Sequence, residues 1–403
     1  MTQLYFVDDA VARTFEPFAL TRPASELRAG ALLLRERWEY ALRLKTAGFV
    51  AAPHLASFEE AGAPRAVDGR LKAGSVLVNA RCAVSLTPLA PADVWTVGGR
   101  VAAVTLARDV DPADVLAPKA ALESFAKPGG KRLEASGRWI DHVWDFIATL
   151  QVMLGEDIVA LAGRTATTAV GMAMKAPLVF TEGGATIEPN VHFDTSAGPV
   201  MVRSDATVQA FTRVVGPCVI GAKSVVGMDR ISGCSIGDHC RVHGELSASI
   251  ILGHTNKAHE GFVGHSYLGR WVNLGAGTTT SNLKNTYGTV SFWTPDGEQD
   301  TAMQFLGTYF GDHAKTGIGL QLTTGSVVGA GSSVTGAMPP KAVAPFSWGD
   351  GAPYDTYDVK KFIEVARRVM ARRNVALTDA MAVQLAAAHK HRWAVKPAKR
   401  KKK

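Results

Sequence analysis

From about residue 177 to residue 345 the chain repeatedly places an aliphatic or aromatic residue before a glycine, as in Ile220-Gly221, Ile236-Gly237, Leu252-Gly253, Leu268-Gly269, Leu274-Gly275, Phe310-Gly311 and Val328-Gly329. The stretch FGDHAK/TGIGLQ/LTTGSV/VGAGSS/V divides into six-residue units with Ala314, Leu320, Ser326 and Ser332 at the fifth position. Hexapeptides of this kind mark a parallel β-helix. Each short strand turns one apolar residue inward, small residues allow the corner, and stacked coils pair the backbone around one continuous core. Three hexapeptides per coil would give a repeat of about 18 residues. Ile220, Ile236, Leu252 and Leu268 stand 16 apart, so some corners are shortened or the frame slips.

The 403 residues exceed one hydrophobic core, which predicts at least two domains. Residues 1–165 mix strands and helices and predict an α/β domain. LYFVDD and SVLVNA read as buried strands, and VWTVGG with RVAAVTLA as an antiparallel pair. ELRAGALLLRERWEYALRLKTAG has helical spacing that predicts a helix ending near Gly48, and RWIDHVWDFIATLQVMLGEDIVALAG predicts a second helical region. Strands alternating with helices suit a doubly wound sheet, whose ligands sit at the carboxyl ends of strands, where Asp8, Asp9 and Asn79 fall. Residues 177–345 form the β-helix, 346–392 return to helix, and 393–403 form a basic tail expected to be disordered.

The formal charge of +8 is concentrated at the end, since KPAKRKKK carries six of the positive charges. No aromatic residue accompanies them, so nucleic acid is not the expected partner. No apolar run reaches the ~18 residues of a membrane span, and MTQLYFVDDAVART lacks the basic and apolar regions of a signal peptide, so the expected location is cytoplasmic. The four cysteines form no CxxC pair and are expected to be free thiols; Cys234, His239 and Cys240 fit no common zinc spacing.

The segment NKAHEGFVGHSYLGRWVNLGAGTTTSNLKN, residues 256–285, carries the chemistry. It closely resembles the acetyltransferase domain of bifunctional N-acetylglucosamine-1-phosphate uridyltransferase/glucosamine-1-phosphate acetyltransferase enzymes. The resemblance implies a left-handed parallel β-helix, a homotrimer and an acetyl-CoA site between subunits. Matched without gaps, the family's catalytic histidine falls on His259, its sugar-contacting asparagine on Asn273, its CoA-contacting alanine on Ala276, with Gly277 and Thr278 beside it, and its active-site asparagine on Asn282. The family has tyrosine where Phe262 and Leu283 stand, and a sugar-phosphate-binding lysine near Ser247, so Lys257, Lys284 or Arg241 would have to supply that charge. The whole chain resembles a bacterial family of sugar nucleotidyltransferases over residues 1–345, with LTRPASELRAGALLLRERW as its N-terminal hallmark.

These matches imply an amino sugar phosphate as acyl acceptor and a nucleoside triphosphate as the second substrate. A histidine titrates near neutrality and can take the proton of the attacking amine, which assigns His259 as general base. Glu245 would orient it or hold the sugar. Backbone N–H groups from Gly275 to Thr278, or the Asn282 amide, would face the developing oxyanion. His265 is a weaker candidate for a direct role; His243 and His254 read as structural or solvent-facing. In the N-terminal domain the family's Gly-rich loop and lysine are replaced by VDDAVART and LTRPASELR, leaving Arg13, Arg22 and Arg28 for phosphate. Asn79 stands where the family has a metal-binding Asp, and Asp8 or Asp9 would have to hold Mg2+. The reading is a two-activity enzyme of sugar-nucleotide synthesis. Its alternatives are an acyltransferase with a nucleotide-binding regulatory domain, and a non-enzymatic trimeric scaffold.

Overall fold

The computed structural model describes residues 2–118, 120–163, 168–169 (backbone only), 178–336 and 338–395. The boundary placed between residues 165 and 177, and the basic tail from residue 396, lie outside the described residues.

The N-terminal domain is built on a six-stranded sheet. Its strands are β1 (Leu4–Val7), β2 (Thr46–Val50), β3 (Val76–Asn79), β4 (Val94–Val97), β5 (Arg100–Thr105) and β6 (Arg132–Glu134), in the spatial order β2-β1-β3-β5-β4-β6. The first three are parallel; β5 runs antiparallel to both β3 and β4. The sheet is therefore mixed, and its antiparallel part is the pair expected around Gly98-Gly99, where the tight turn closes β4 and β5 into a hairpin.

The helix expected to end near Gly48 is shorter, and Gly48 itself lies in β2. Arg28–Ala29 and Leu32–Leu33 form a small antiparallel pair around Gly30, and only Leu34–Leu42 is helix, α1. Gly30 has φ +63, and a Cβ there would lie 2.2 Å from an Asp157 carboxylate oxygen. The close approach lets Asp157, on α2 (Leu150–Ala162), pair with the buried Arg37 at 2.6 Å and accept from the Ala31 N–H at 2.9 Å. Leu33 N–H donates to Glu36 at 2.9 Å at the start of α1, and Arg43, with φ 57, ends it.

The second half is a parallel β-helix with three faces. The first face runs from Val179–Thr181 through Cys218–Ile220, Ile250–Gly253 and Tyr267–Arg270 to Ala342–Val343. The second includes Arg241–His243 and Asn256–Lys257, and the third Leu246–Ser247 and Val263–Gly264. Inward residues stack as Val202, Ile220, Ile236, Ile251 and Leu268. The 16-residue frame therefore slips at one place: Ile251, not Leu252, lies above Ile236. With strand period two, Ile251 enters the β-helix core while Leu252 turns outward into the core shared with the N-terminal domain. Between Leu268 and its partner Phe310 the coil carries an insertion, a hairpin of Ser291–Thr294 with Gly297–Asp300.

The N-terminal domain covers the first face. Phe18 packs on Tyr267 with ring centroids 4.5 Å apart, the Arg28 N–H donates to the Tyr267 hydroxyl at 2.7 Å, and Ser235 Oγ donates to Gly30 O at 2.6 Å. Two C-terminal helices, α3 (Val359–Ala371) and α4 (Asp379–His391), cover the corner between first and second faces. That corner carries His239, His254, Trp271 and His313, each left-handed with φ between 53 and 62, and their rings stack in sequence. Burial pushes the His254 imidazole down to about 3 and holds His313 well below its ordinary range. The structural reading of His254 rests on this column, and α3 and α4 bury it.

Candidate active sites

His259 is exposed at the corner between the second and third faces, after Asn256–Lys257 and before Val263–Gly264. Its backbone carbonyl is held by Lys257, whose Nζ donates to His259 O at 2.9 Å and to His243 O at 2.6 Å. Lys257 is buried, and desolvation brings its ammonium down to about 8. Its role is thus internal, fixing the corner that presents His259, and it does not offer the free charge expected for a sugar phosphate.

Asn282 lies one coil further. Its Nδ2 donates to His265 Nδ1 at 2.9 Å, and the His265 ring stacks on Phe305 at 5.3 Å. Burial lowers the His265 pKa, keeping the ring neutral and able to accept at Nδ1. A Cβ on Gly264 would lie 2.4 Å from Phe262 Cζ and 2.7 Å from Asn282 Nδ2, so the bare backbone there lets both side chains cross the strand. Phe262, Gly277 and Asn282 line an open groove of about 800 Å3, together with Thr279, Gln321 and Met338.

Other predicted residues sit elsewhere. Thr278 is 1% exposed, with its hydroxyl bonded to Thr316 Oγ1 at 2.8 Å, so its side chain is closed to a cofactor. Three of the four backbone N–H groups expected at an oxyanion are spent internally: Gly275 on Thr316 Oγ1, Gly277 on Glu260 O and Thr278 on Gly275 O. Ala276 is half-buried, and its carbonyl accepts from Gly319 N–H at 2.7 Å. Glu245 pairs with Arg230 at 3.5 Å, and no hydrogen bond joins it to His259 among the described residues. Asn273 opens into a different cavity, under α3, and accepts from Asn256 Nδ2 at 3.3 Å. Arg241 donates to the Lys223 and Cys240 carbonyls. Within one chain, then, His259, Asn273 and Asn282 do not line a common pocket.

In the N-terminal domain the expected phosphate and metal residues are largely committed to structure. Arg22 is 3% exposed and donates to Asp312 at 2.9 Å and Glu60 at 3.1 Å. Arg28 donates to the Ala31 carbonyl. Asp8 is buried against the Ala24 N–H, and desolvation raises its carboxyl to about 7. Asp9 accepts from Arg81 Nη2 at 2.8 Å, Asn79 Nδ2 at 2.9 Å and Ala12 N–H at 2.8 Å. Burial works to raise its pKa, but Arg81 and these bonds outweigh it and hold the carboxylate below its ordinary range. Both carboxylates are thus engaged internally and do not fit a resident Mg2+. Among the described residues no group of three or more His, Cys, Asp or Glu could hold a metal ion. The four cysteines are free and buried.

Arg13 alone keeps a weak tie, to Leu116 O at 3.5 Å. Leu116, though not Arg13 itself, lines a groove of about 430 Å3 with Val50, Pro53, Ala66, Asp68 and Arg70, at the carboxyl end of β2. Sequence reasoning missed Arg81, which joins Asp9 to Asp141 at 2.6 Å, and Arg100, which lies 4.0 Å over the Trp139 ring. Arg81 stands two residues after Asn79 at the same strand end, a position that could have drawn notice.

Residues 4–165 match the family model described as sugar nucleotidyl transferase. Among curated proteins, the bifunctional protein GlmU of Gloeobacter violaceus is 32% identical over 155 residues, covering 35% of this chain and 30% of that protein. That of Desulfitobacterium hafniense (strain DSM 10664 / DCB-2) is 30% identical over 190 residues, covering 41% and 39%. The chain thus spans between 30% and 39% of the length of these relatives. Among solved structures, a hexapeptide transferase family protein from Anaplasma phagocytophilum aligns with 50% of this chain and 96% of its own at 13% identity and a TM-score of 0.26. The β-helix itself is established by this chain's own parallel ladders. No helix among the described residues is long and apolar enough to cross a membrane.

Proposed function

We propose that the chain is a two-domain transferase of sugar-nucleotide synthesis, joining acyl transfer from acetyl-CoA on the β-helix to nucleotidyl transfer in the N-terminal domain. The observation that carries the reading is the sugar nucleotidyl transferase match over residues 4–165 on the same chain as the His259 corner and the Asn282–His265 pair.

In the acyl transfer, the acceptor is the amine of an amino sugar phosphate. Its nitrogen attacks the thioester carbonyl, the C–S bond breaks, and CoA leaves as its thiol. His259, exposed and fixed through its backbone by Lys257, takes the amine proton, a contribution of about 10²- to 10⁴-fold. Asn282 spends one N–H on His265 and keeps its second N–H and Oδ1 for the reacting groups. The site is completed by neighbouring copies in a homotrimer. The corner that bears His259 also bears Phe211, Met228 and Ile318, which are 73%, 56% and 84% exposed, an apolar edge suited to a second copy.

The N-terminal groove beside Arg13 is the candidate nucleotide site, since ligands of such sheets bind beyond the carboxyl ends of the strands. No step is routed through Mg2+. A second reading keeps only acyl transfer and makes the N-terminal domain a binding module; the commitment of Arg22, Arg28, Asp8 and Asp9 to internal bonds favours it. Pyrophosphate release from nucleoside triphosphates with sugar 1-phosphates separates the two. Release that depends on the sugar supports two activities, and none with any pair tested leaves acyl transfer alone.

A further inference from the structure

A cavity of about 150 Å3 lies between the second face of the β-helix and the end of α3. Asn256, Asn273, Lys315, Arg372 and Arg373 line it beside the His254 and Trp271 rings, and no carboxylate does. Asn256, Asn273 and Lys315 occupy equivalent places on successive coils, and Arg241 stands next to Asn256 on the coil before. One column of the solenoid thus points polar and basic side chains toward the two arginines that end α3.

Among the described residues these cations have only neutral partners. Lys315 Nζ donates to His313 O at 3.2 Å, Arg373 to Asn256 Oδ1, and Arg241 to the Lys223 and Cys240 carbonyls. Desolvation depresses the Lys315 ammonium to about 8; desolvation and then the charges of Arg241 and Arg372 depress Arg373. Clustering like charges in a partly desolvated cavity costs free energy that a bound anion recovers. Two guanidiniums and an ammonium match the several oxygens of a phosphate better than a single carboxylate. With Asn273 Oδ1 taken by Asn256, its Nδ2 is left as a further donor.

We propose that this cavity is a binding site for a phosphate group, free or esterified, held by Lys315, Arg372 and Arg373 with Asn256 and Asn273. The site is separate from the Asn282 groove, and neither His259 nor Asn282 lines it, so it stands even if the acyl-transfer reading fails.

The test is calorimetric titration of the full chain with inorganic phosphate and, separately, with glucosamine 1-phosphate. One site per chain is expected for inorganic phosphate, and a site of the same sensitivity for glucosamine 1-phosphate beside any acceptor site, each weakened about tenfold in Arg373→Gln and in Arg372→Gln, the loss of one charge-assisted contact. Arg108→Gln, an exposed cation of the N-terminal domain, leaves it unchanged. Equal affinity for both probes assigns the site to free phosphate, and tighter binding of the ester to a phosphorylated sugar. Arg372 is exposed, so its variant keeps the fold, and an unchanged melting temperature verifies this. Failure of both probes to bind, or binding that survives both substitutions, overturns the proposal.

Discussion

Asp312→Ala tests whether Arg22 serves the fold or a nucleotide. Asp312 lies on the β-helix and is buried. It accepts from Thr21 Oγ1 at 2.9 Å, Arg22 Nε at 2.9 Å and the Arg270 N–H at 2.7 Å. Its loss leaves a buried guanidinium with Glu60 as its remaining acid, the Arg270 N–H without its acceptor and the Thr21 hydroxyl with only Phe18 O at 3.3 Å. Removing one partner of a buried pair costs about 3–5 kcal/mol, far above the ~0–1 kcal/mol of a surface pair. The double variant Arg22→Met/Asp312→Leu removes both charges and leaves Glu60 paired with Arg270 at 2.8 Å, so it should recover roughly half of the loss. Urea unfolding followed by circular dichroism reads both values. A loss below about 1 kcal/mol for Asp312→Ala, or a double variant worse than the sum of its singles, would refute a buried junction between the domains. It would also return Arg22 to the set of phosphate ligands.

Asp8→Asn should change how stability depends on pH. With a folded pKa of about 7 against ~3.9 unfolded, Asp8 binds a proton on folding, so stability is full below pH ~4 and declines as pH rises through 7. The Asn variant loses that slope and gains on wild type between pH 5 and 8; parallel thermal profiles would contradict it. Gly264→Ala should displace Phe262 and Asn282, lowering acyl transfer at least ~10-fold with a small change in melting temperature, and unaltered turnover would show that their crossing is dispensable. Asn282→Ala should reduce kcat by about 10²-fold if its remaining N–H faces the oxyanion. A rise in KM at constant kcat would make it a binding residue only.

The β-helix was legible because its inward positions recur and its glycines mark close approaches between coils. Coil length was not, since it depends on corners such as Ala248 and His265, both left-handed, which a residue of ordinary propensity does not announce. The helix read through residues 26–48 failed for a similar reason: apolar spacing there serves a small hairpin and a short helix around Gly30. Arg22 and Arg28 sit where a nucleotide-binding loop is expected, but a sequence cannot distinguish a phosphate partner from a carboxylate 290 residues away. His265 and Asn282 were more accessible. They lie 17 residues apart, close to one coil, so the stacking register of the repeat places one above the other from spacing alone.

Acyl transfer on this β-helix, as proposed, uses His259 as base. The direct measurement is CoA release from acetyl-CoA with glucosamine 1-phosphate and a panel of amino sugars, comparing wild type with His259→Ala. His259 is exposed, so the variant should fold normally. The account predicts release that requires an acceptor and falls at least ~100-fold in the variant. Release that is equal in the two proteins, or absent with every acceptor, would contradict it.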